Sequence, residues 1–474
     1  MTTAGELRIA FGPDAHLTVA TDATRKPVEA LLWGLGETLT LVTPQGTIKP
    51  WLAKDITALD PLTWRVTLRD NARFWDGSRV TAEDVAASFR RNWSTQIATD
   101  FMLSKQTQVR VVDETTLDFT TPEPTGGVPY ALAYHQLIVH KGDGLVMTGA
   151  YRPVEFEIDQ RLVLEPFRQH WQGPPRIKRI TVTYEDDPGV RINALKAGEV
   201  DLLYGLQPDV LSQLGDDVDV QSSITNRIHY LQFNLSRPPL DDRCVREAAS
   251  LAIDRQALLD DVMGGYGEAA YAFFPDNAGV ESVAVQSTDV QRAAKLLDQA
   301  GWLPGADGVR YKGSQRLGFT LYSFPQRAEM TRLAHSIRDQ LRRVGYDITV
   351  EQVPNIGVRT AGRDFDAAMR SINTLISGDP YFLLAITLSQ AGRENTGGYF
   401  NPEVERLLSD LKQERDAIRR QELSGQIQEE VRDGVPNVYL LVAPLITAAR
   451  RGKLKGPNPS PFTQYFISTE LSVS

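Results

Sequence analysis

Cysteine is nearly missing. Cys244 stands alone in 474 residues, so no disulfide closes within the chain and no pair of thiolates can hold a metal. The helical apolar spacing of DDRCVREAASLAIDR around it marks it as a small core residue. So little cysteine suits cytoplasm and bacterial periplasm equally. Long apolar runs are also absent: the longest, YLLVAPLITAA at 439–449, is too short to span a bilayer and is interrupted by Pro444. No charged segment followed by an apolar one precedes Glu6, and the strand-like ELRIAF begins only a few residues in. The expectation is a mature chain trimmed of an export signal, with a cytoplasmic chain as the alternative. Positive charge is not in excess either. Fifty-one Lys and Arg against 60 Asp and Glu give a net charge of −9, which argues against a nucleic-acid partner.

The constellations of catalysis are absent as well. There is no G-x-x-x-x-G-K-[ST] loop, no G-x-S-x-G elbow and no H-E-x-x-H helix. Among six histidines, His135 and His140 are neighbours, but at five residues apart they share neither a helix face nor one side of a strand. The pairs Asp186–Asp187 and Asp241–Asp242 adjoin prolines or helix starts, where turn and cap duty explains them. GGYGEAA at 264–270 reads as a helix end and loop. The expectation is no enzyme and no resident cofactor.

What is present is an ordinary soluble composition, 42% hydrophobic and 23% charged, in a chain too long for one core. Strands are expected at 6–11, 64–70, in a hairpin over 109–124, in two runs within 161–184, at EVDLLYG, at HYLQFNL (229–235), at DITVEQV and at YLLVAPL. Helices are expected after Thr81, in PGVRINALKAG, near 208–214, and over 243–263, 288–300, 327–344 and 402–432. Interleaved helices and strands make this a mixed α/β chain of two or three domains. The apolar segments 229–235 and 439–446 bracket a block that reads as one inserted lobe.

IKPWLAKDI followed by TWRVTLRDNARFWDGSRVTAEDVAASF resembles the segment that marks the family 5 solute-binding proteins, the group of oligopeptide, dipeptide and nickel binders. The likeness runs on through TGAYRPVEF, WQGPPRIKRITVTYEDDPGVRINALKAGEVDLLYG, QFNLSRPPLDDRCVREAASLAIDRQALL, AAKLLDQAGW, SGDPYF and GGYFNPEVERLL, in order along nearly the whole chain. It implies a periplasmic-binding-protein type of α/β fold: two mixed α/β lobes joined by a two-strand hinge, with an extra domain on the first lobe. The boundaries it suggests are 1–36, 147–234 and 447–474 for lobe I, 37–146 for accessory domain II, and 235–446 for lobe III. HYLQFNL and LLVAPLITA are the hinge candidates.

The resemblance also implies a periplasmic or extracytoplasmic monomer that captures a small ligand by hinge closure and delivers it to an ABC permease in the membrane. The anchors of the two subfamilies are replaced. Ile376 stands where peptide binders carry an aspartate ahead of the Asp379–Pro380 pair, and His135–Gln136 stand where the nickel binder carries an arginine. The phrases IKPWLAK and RIKRI…GEVDLLYG lie nearest the nickel binder, so a nickel or other metal chelate is the expected cargo. A short-peptide or opine-like solute is the alternative within the family, and the sensing domain of a transcription regulator the alternative outside it. Arg25, Arg370 and Arg393 are the candidates to meet chelate carboxylates, Phe101 to line the pocket, and His135 to ligate metal. Asn373 and Tyr399 fall on the inner face of the third domain.

Overall fold

The computed structural model describes residues 5–13, 27–95, 102–142, 144–455 and 460–473. Alternating segments pair into a sheet of 11 strands. At its centre Val218–Phe233 and Asn437–Arg450 run antiparallel over nearly their full length. Ala367–Asn373, Gly318–Ser323 and Asp347–Gln352 continue the sheet on one side. Leu202–Tyr204, Glu6–Phe11, Arg179–Tyr184, Arg161–Pro166 and Tyr151–Glu157 continue it on the other. Each flank has its own apolar core, one around Ile9 and Trp33 and one around Leu321 and Ile337. The sheet therefore serves two lobes, called first and second here after their order in the chain. Glu6–Phe11 and Gly318–Ser323 each run parallel to both neighbours, the arrangement that crossover connections produce.

A separate four-stranded antiparallel sheet, Ala53–Ala58, Thr63–Leu68, Thr116–Thr120 and Gln108–Val111, forms an accessory layer. The helix Ala82–Thr95 packs on it through Phe89 and Phe119, ring centres 5.2 Å apart. Its start is capped reciprocally: Asp84 N donates to Thr81 Oγ1 at 3.2 Å, and Thr81 N to Asp84 Oδ2 at 3.1 Å. This layer shares one continuous core with the second lobe, where the rings of Tyr134 and Phe382 lie 6.1 Å apart.

Three expectations are corrected. The helices expected over 243–263 and 402–432 are each divided, into Arg243–Ala252 and Arg255–Met263, and into Pro402–Gln413 and Ala417–Gly434. An aspartate restarts the helix each time: Asp254 accepts from Ala257 N at 3.0 Å and Asp416 from Arg419 N at 2.9 Å. Cys244, at the start of the first of these helices, is half-buried rather than in the core. The strand expected from His229 begins at Val218, because its first half is held by pairing with the last residues of Asn437–Arg450 while its side chains stay largely exposed. Among the described residues, no helix is long and apolar enough to cross a membrane.

Candidate functional site

Where the two long strands cross from lobe to lobe, their register breaks. Ile224 pairs with Pro444 and Ile228 with Val442, so Thr225, Asn226 and Arg227 together face a single residue, Ala443. The bulge is tied down on all sides. Thr225 Oγ1 donates to the Ala443 carbonyl at 2.6 Å and accepts from Arg227 N at 3.0 Å. Asn226 Nδ2 donates to the Leu375 carbonyl at 2.7 Å, and Thr374 N and Oγ1 both donate to the Asn226 carbonyl, at 2.8 and 2.9 Å. Such a bulge re-aims side chains without loosening the backbone.

The re-aimed residues open onto a cavity of about 320 Å³. Its walls come from the first lobe (Val28, Glu29, Tyr204–Pro208, Thr463), from the strand crossing (Thr225, Arg227, Ala443–Ile446) and from the second lobe (Met263, Arg327, Glu329, Asn373). Next to the lining residue Pro208, Asp209 of the first lobe is reached by Arg332 of the second at 3.4 Å. A ligand here touches both lobes and the strands that join them.

The second-lobe wall is a polar relay. Arg227 pairs across the sheet with Asn373 and His229 with Ser371, and the two-residue repeat puts all four side chains on one face. Arg227 Nη1 donates to Ser371 Oγ at 3.4 Å, and Ser371 Oγ lies 3.0 Å from His229 Nδ1. His229 Nε2 is 3.5 Å from Glu329 Oε1, and Arg327 Nη1 is 3.8 Å from the same oxygen. Burial works against the Glu329 charge, yet the His229 imidazole 3.5 Å away and the Arg327 charge outweigh it and hold the carboxyl below its usual range. Burial, opposed by the nearby Glu329 carboxylate, pushes His229 down. Burial and then the Arg327 charge press the Arg227 guanidinium well below the ordinary arginine range, with Glu329 opposing them. Among the described residues, no carboxylate forms an ion pair with Arg227. A half-buried cation of this kind is partly stripped of water and is favoured when an anion meets it.

Of the residues singled out from the sequence, the structure puts Asn373 in this wall. Arg370 sits one residue past Met369 and one before Ser371, so the pleat turns it to the opposite face, where it is buried against Glu394 and Thr360. Arg393, exposed, lies 3.6 Å from Glu394. Tyr399 is buried with its ring against Gly434. His135 sits in the short turn His135–Leu137, its ring 4.4 Å from that of Tyr134 and its buried Nδ1 without a hydrogen-bond partner among the described residues. Burial pushes its imidazole down to about 4, with a hydrogen bond to Gln464 opposing. His140 is buried elsewhere, bonded to Asn92 at 2.8 Å. Arg25 and Phe101 lie outside the described residues. Asp379, of the Asp379–Pro380 pair, is buried against Arg420 and caps the helix Pro380–Leu388. Its carboxylate is thus already neutralised. Among the described residues, no group of three or more His, Cys, Asp or Glu side chains is arranged to hold a metal ion.

Arg227, Arg327 and Glu329 were missed in the sequence. Polar residues running into an apolar strand, S-S-I-T-N-R ahead of HYLQF, were the available signal.

Residues 47–395 match the model of the family described as "Bacterial extracellular solute-binding proteins, family 5 Middle". The chain is similar to the nickel-binding protein NikA of Staphylococcus aureus, 24% identical over 451 residues, 93% of this chain and 89% of the relative. It is also similar to the nickel-binding periplasmic protein of Escherichia coli, 26% identical over 430 residues, 84% of this chain and 81% of the relative. In fold it superposes on NikA from Brucella suis in complex with Fe(III)-EDTA with a TM-score of 0.86 at 20% identity, over 99% of this chain and 100% of that one.

Proposed function

Since the chain belongs to family 5 of the bacterial extracellular solute-binding proteins, we propose that it captures a small solute between its two lobes and hands it to the membrane permease of an ABC importer. The cargo that fits best is a nickel or cobalt chelate whose chelator brings its own carboxylates. One observation carries this reading: among the described residues, the half-buried Arg227 guanidinium in the inter-lobe cavity has no carboxylate partner, and no cluster of metal-ligating side chains exists. The cavity is suited to gripping an anionic chelator, and not to stripping the metal from it. The nickel-binding names of two relatives lend support.

In this reading the division into lobe I (1–36, 147–234, 447–474), accessory domain II (37–146) and lobe III (235–446) is the mechanical one, with the two long strands as hinge. A ligand that touches both lobes favours the closed state by its differential affinity, and the closed form is what the permease recognises. The chain acts outside the cytoplasm, as a monomer, without catalysis.

Isothermal titration with nickel plus free L-histidine, set against di- and tripeptides, tests the assignment. Saturable heat from the nickel complex is expected. Heat from peptides alone sinks the metal reading and leaves a peptide carrier.

A further inference from the structure

On the second-lobe wall two guanidinium groups, Arg227 and Arg327, face one carboxylate, Glu329. Glu329 lies beside Arg327 at 3.8 Å and pairs with His229 at 3.5 Å, so its charge is committed to that end of the relay. Arg227 reaches the relay only through Ser371, a neutral hydroxyl. Glu29, on the facing wall, has a partner of its own. Among its described residues the wall thus keeps one uncompensated positive charge, and it sits on Arg227.

We propose that Glu329 is the charge selector of the second-lobe wall: by neutralising Arg327 it leaves Arg227 as the one uncompensated cation among the described residues of that wall, so that the ligand accepted presents one carboxylate to it. This deepens the proposed function and rests on the inter-lobe cavity being the ligand site. The carboxylate lies on Arg227, with Asn373 directly across the sheet as the polar side chain beside it. A ligand that brings a second carboxylate to the same wall meets the buried Glu329, where like charges repel strongly. Arg327, rather than Glu329, would have to turn to it, and its ion pair with Glu329 opposes that.

The test uses the full chain and four probes: nickel with L-histidine, nickel with citrate, and the metal-free dipeptides Ala-Ala and Ala-Glu, titrated into wild type, Glu329→Gln and Arg227→Gln. Circular dichroism and thermal melting confirm that each variant is folded. Within each pair of probes, wild type is expected to prefer the ligand with fewer carboxylates. Glu329→Gln is expected to shift that ratio on the order of tenfold toward the richer one, as a change of one buried charge allows. Arg227→Gln is expected to lose binding of every ligand that wild type binds. If wild type takes up only the dipeptides, the metal-chelate reading fails while the ratio between Ala-Ala and Ala-Glu still reads the selector. A ratio that is the same in wild type and Glu329→Gln overturns the proposal, as does binding that survives Arg227→Gln, and failure of all four probes overturns both readings.

Discussion

The protonation of His135 sets one stability term that a single substitution can isolate. Burial holds its folded-state value at about 4, against 6.5 for the free side chain. As pH falls, the unfolded chain therefore takes up a proton before the folded one does. Stability that is fully present above about 6.5 is lost progressively as pH drops toward 4. A shift of that size corresponds to roughly 2–3 kcal/mol at pH 4. His135→Gln is expected to keep a hydrogen-bonding side chain in the turn and to remove that part of the acid sensitivity. Urea midpoints of wild type and variant, compared at pH 7 and pH 4.5, measure it; parallel losses in the two proteins would show that His135 does not titrate on unfolding. The same burial explains why a histidine that looked like a metal ligand in the sequence stands apart from any such cluster among the described residues: burial and contact with Tyr134 cannot be read from spacing. Arg370 makes the complementary point. Its charge was visible, but the residue parity that turns it away from the cavity and onto Glu394 depends on strand register, which a single sequence leaves open.

At the scale of elements, the bulge at Thr225–Arg227 is the part on which the site depends. Asn226 is buried, and its side-chain amide reaches the Leu375 carbonyl at 2.7 Å. Asn226→Ala leaves that carbonyl without its donor, at a cost of about 1–3 kcal/mol. It also releases the residue that holds Arg227 at its angle. A lower melting temperature together with weaker ligand binding is expected, and Asn226→Asp, which keeps the shape but cannot donate, is expected to behave like the alanine variant. Binding unchanged in both would mean that the bulge does not position Arg227. Most elements were legible because burial alternates with the pleat or the helical turn, as in Thr63–Leu68 and Ala82–Thr95. The bulge was not, since three residues against one break the alternation on which strand reading relies. The first half of Val218–Phe233 was not either, because its pairing partners lie more than two hundred residues away in sequence and its side chains bury little.

Closure belongs to the whole molecule, and a second contact between its parts makes it testable away from the ligand. The accessory layer meets the second lobe in a clasp. Gly126 N donates to the Lys412 carbonyl at 2.9 Å, Lys412 pairs with Glu123, and the Arg415 guanidinium lies 5.3 Å from the Trp64 ring centre while bonding the Asp60 carbonyl. The backbones approach so closely that a Cβ at Gly126 would stand 1.7 Å from the Glu414 carbonyl oxygen. That neighbour is backbone, at the break between two helices, and cannot swing aside as a flexible side chain could. Gly126→Ala is therefore incompatible with this contact, while Gly126 itself lines neither the cavity nor the cores on the two flanks of the main sheet. Since only the closed population binds tightly, apparent affinity falls in proportion to its loss. Small-angle scattering with and without nickel and L-histidine reads this directly: wild type is expected to contract on adding ligand, and Gly126→Ala to keep the larger radius at concentrations that saturate wild type. A variant that contracts as wild type does would show that the clasp is incidental to closure, and would leave the coupling of ligand to shape with the two long strands and the Arg332–Asp209 contact.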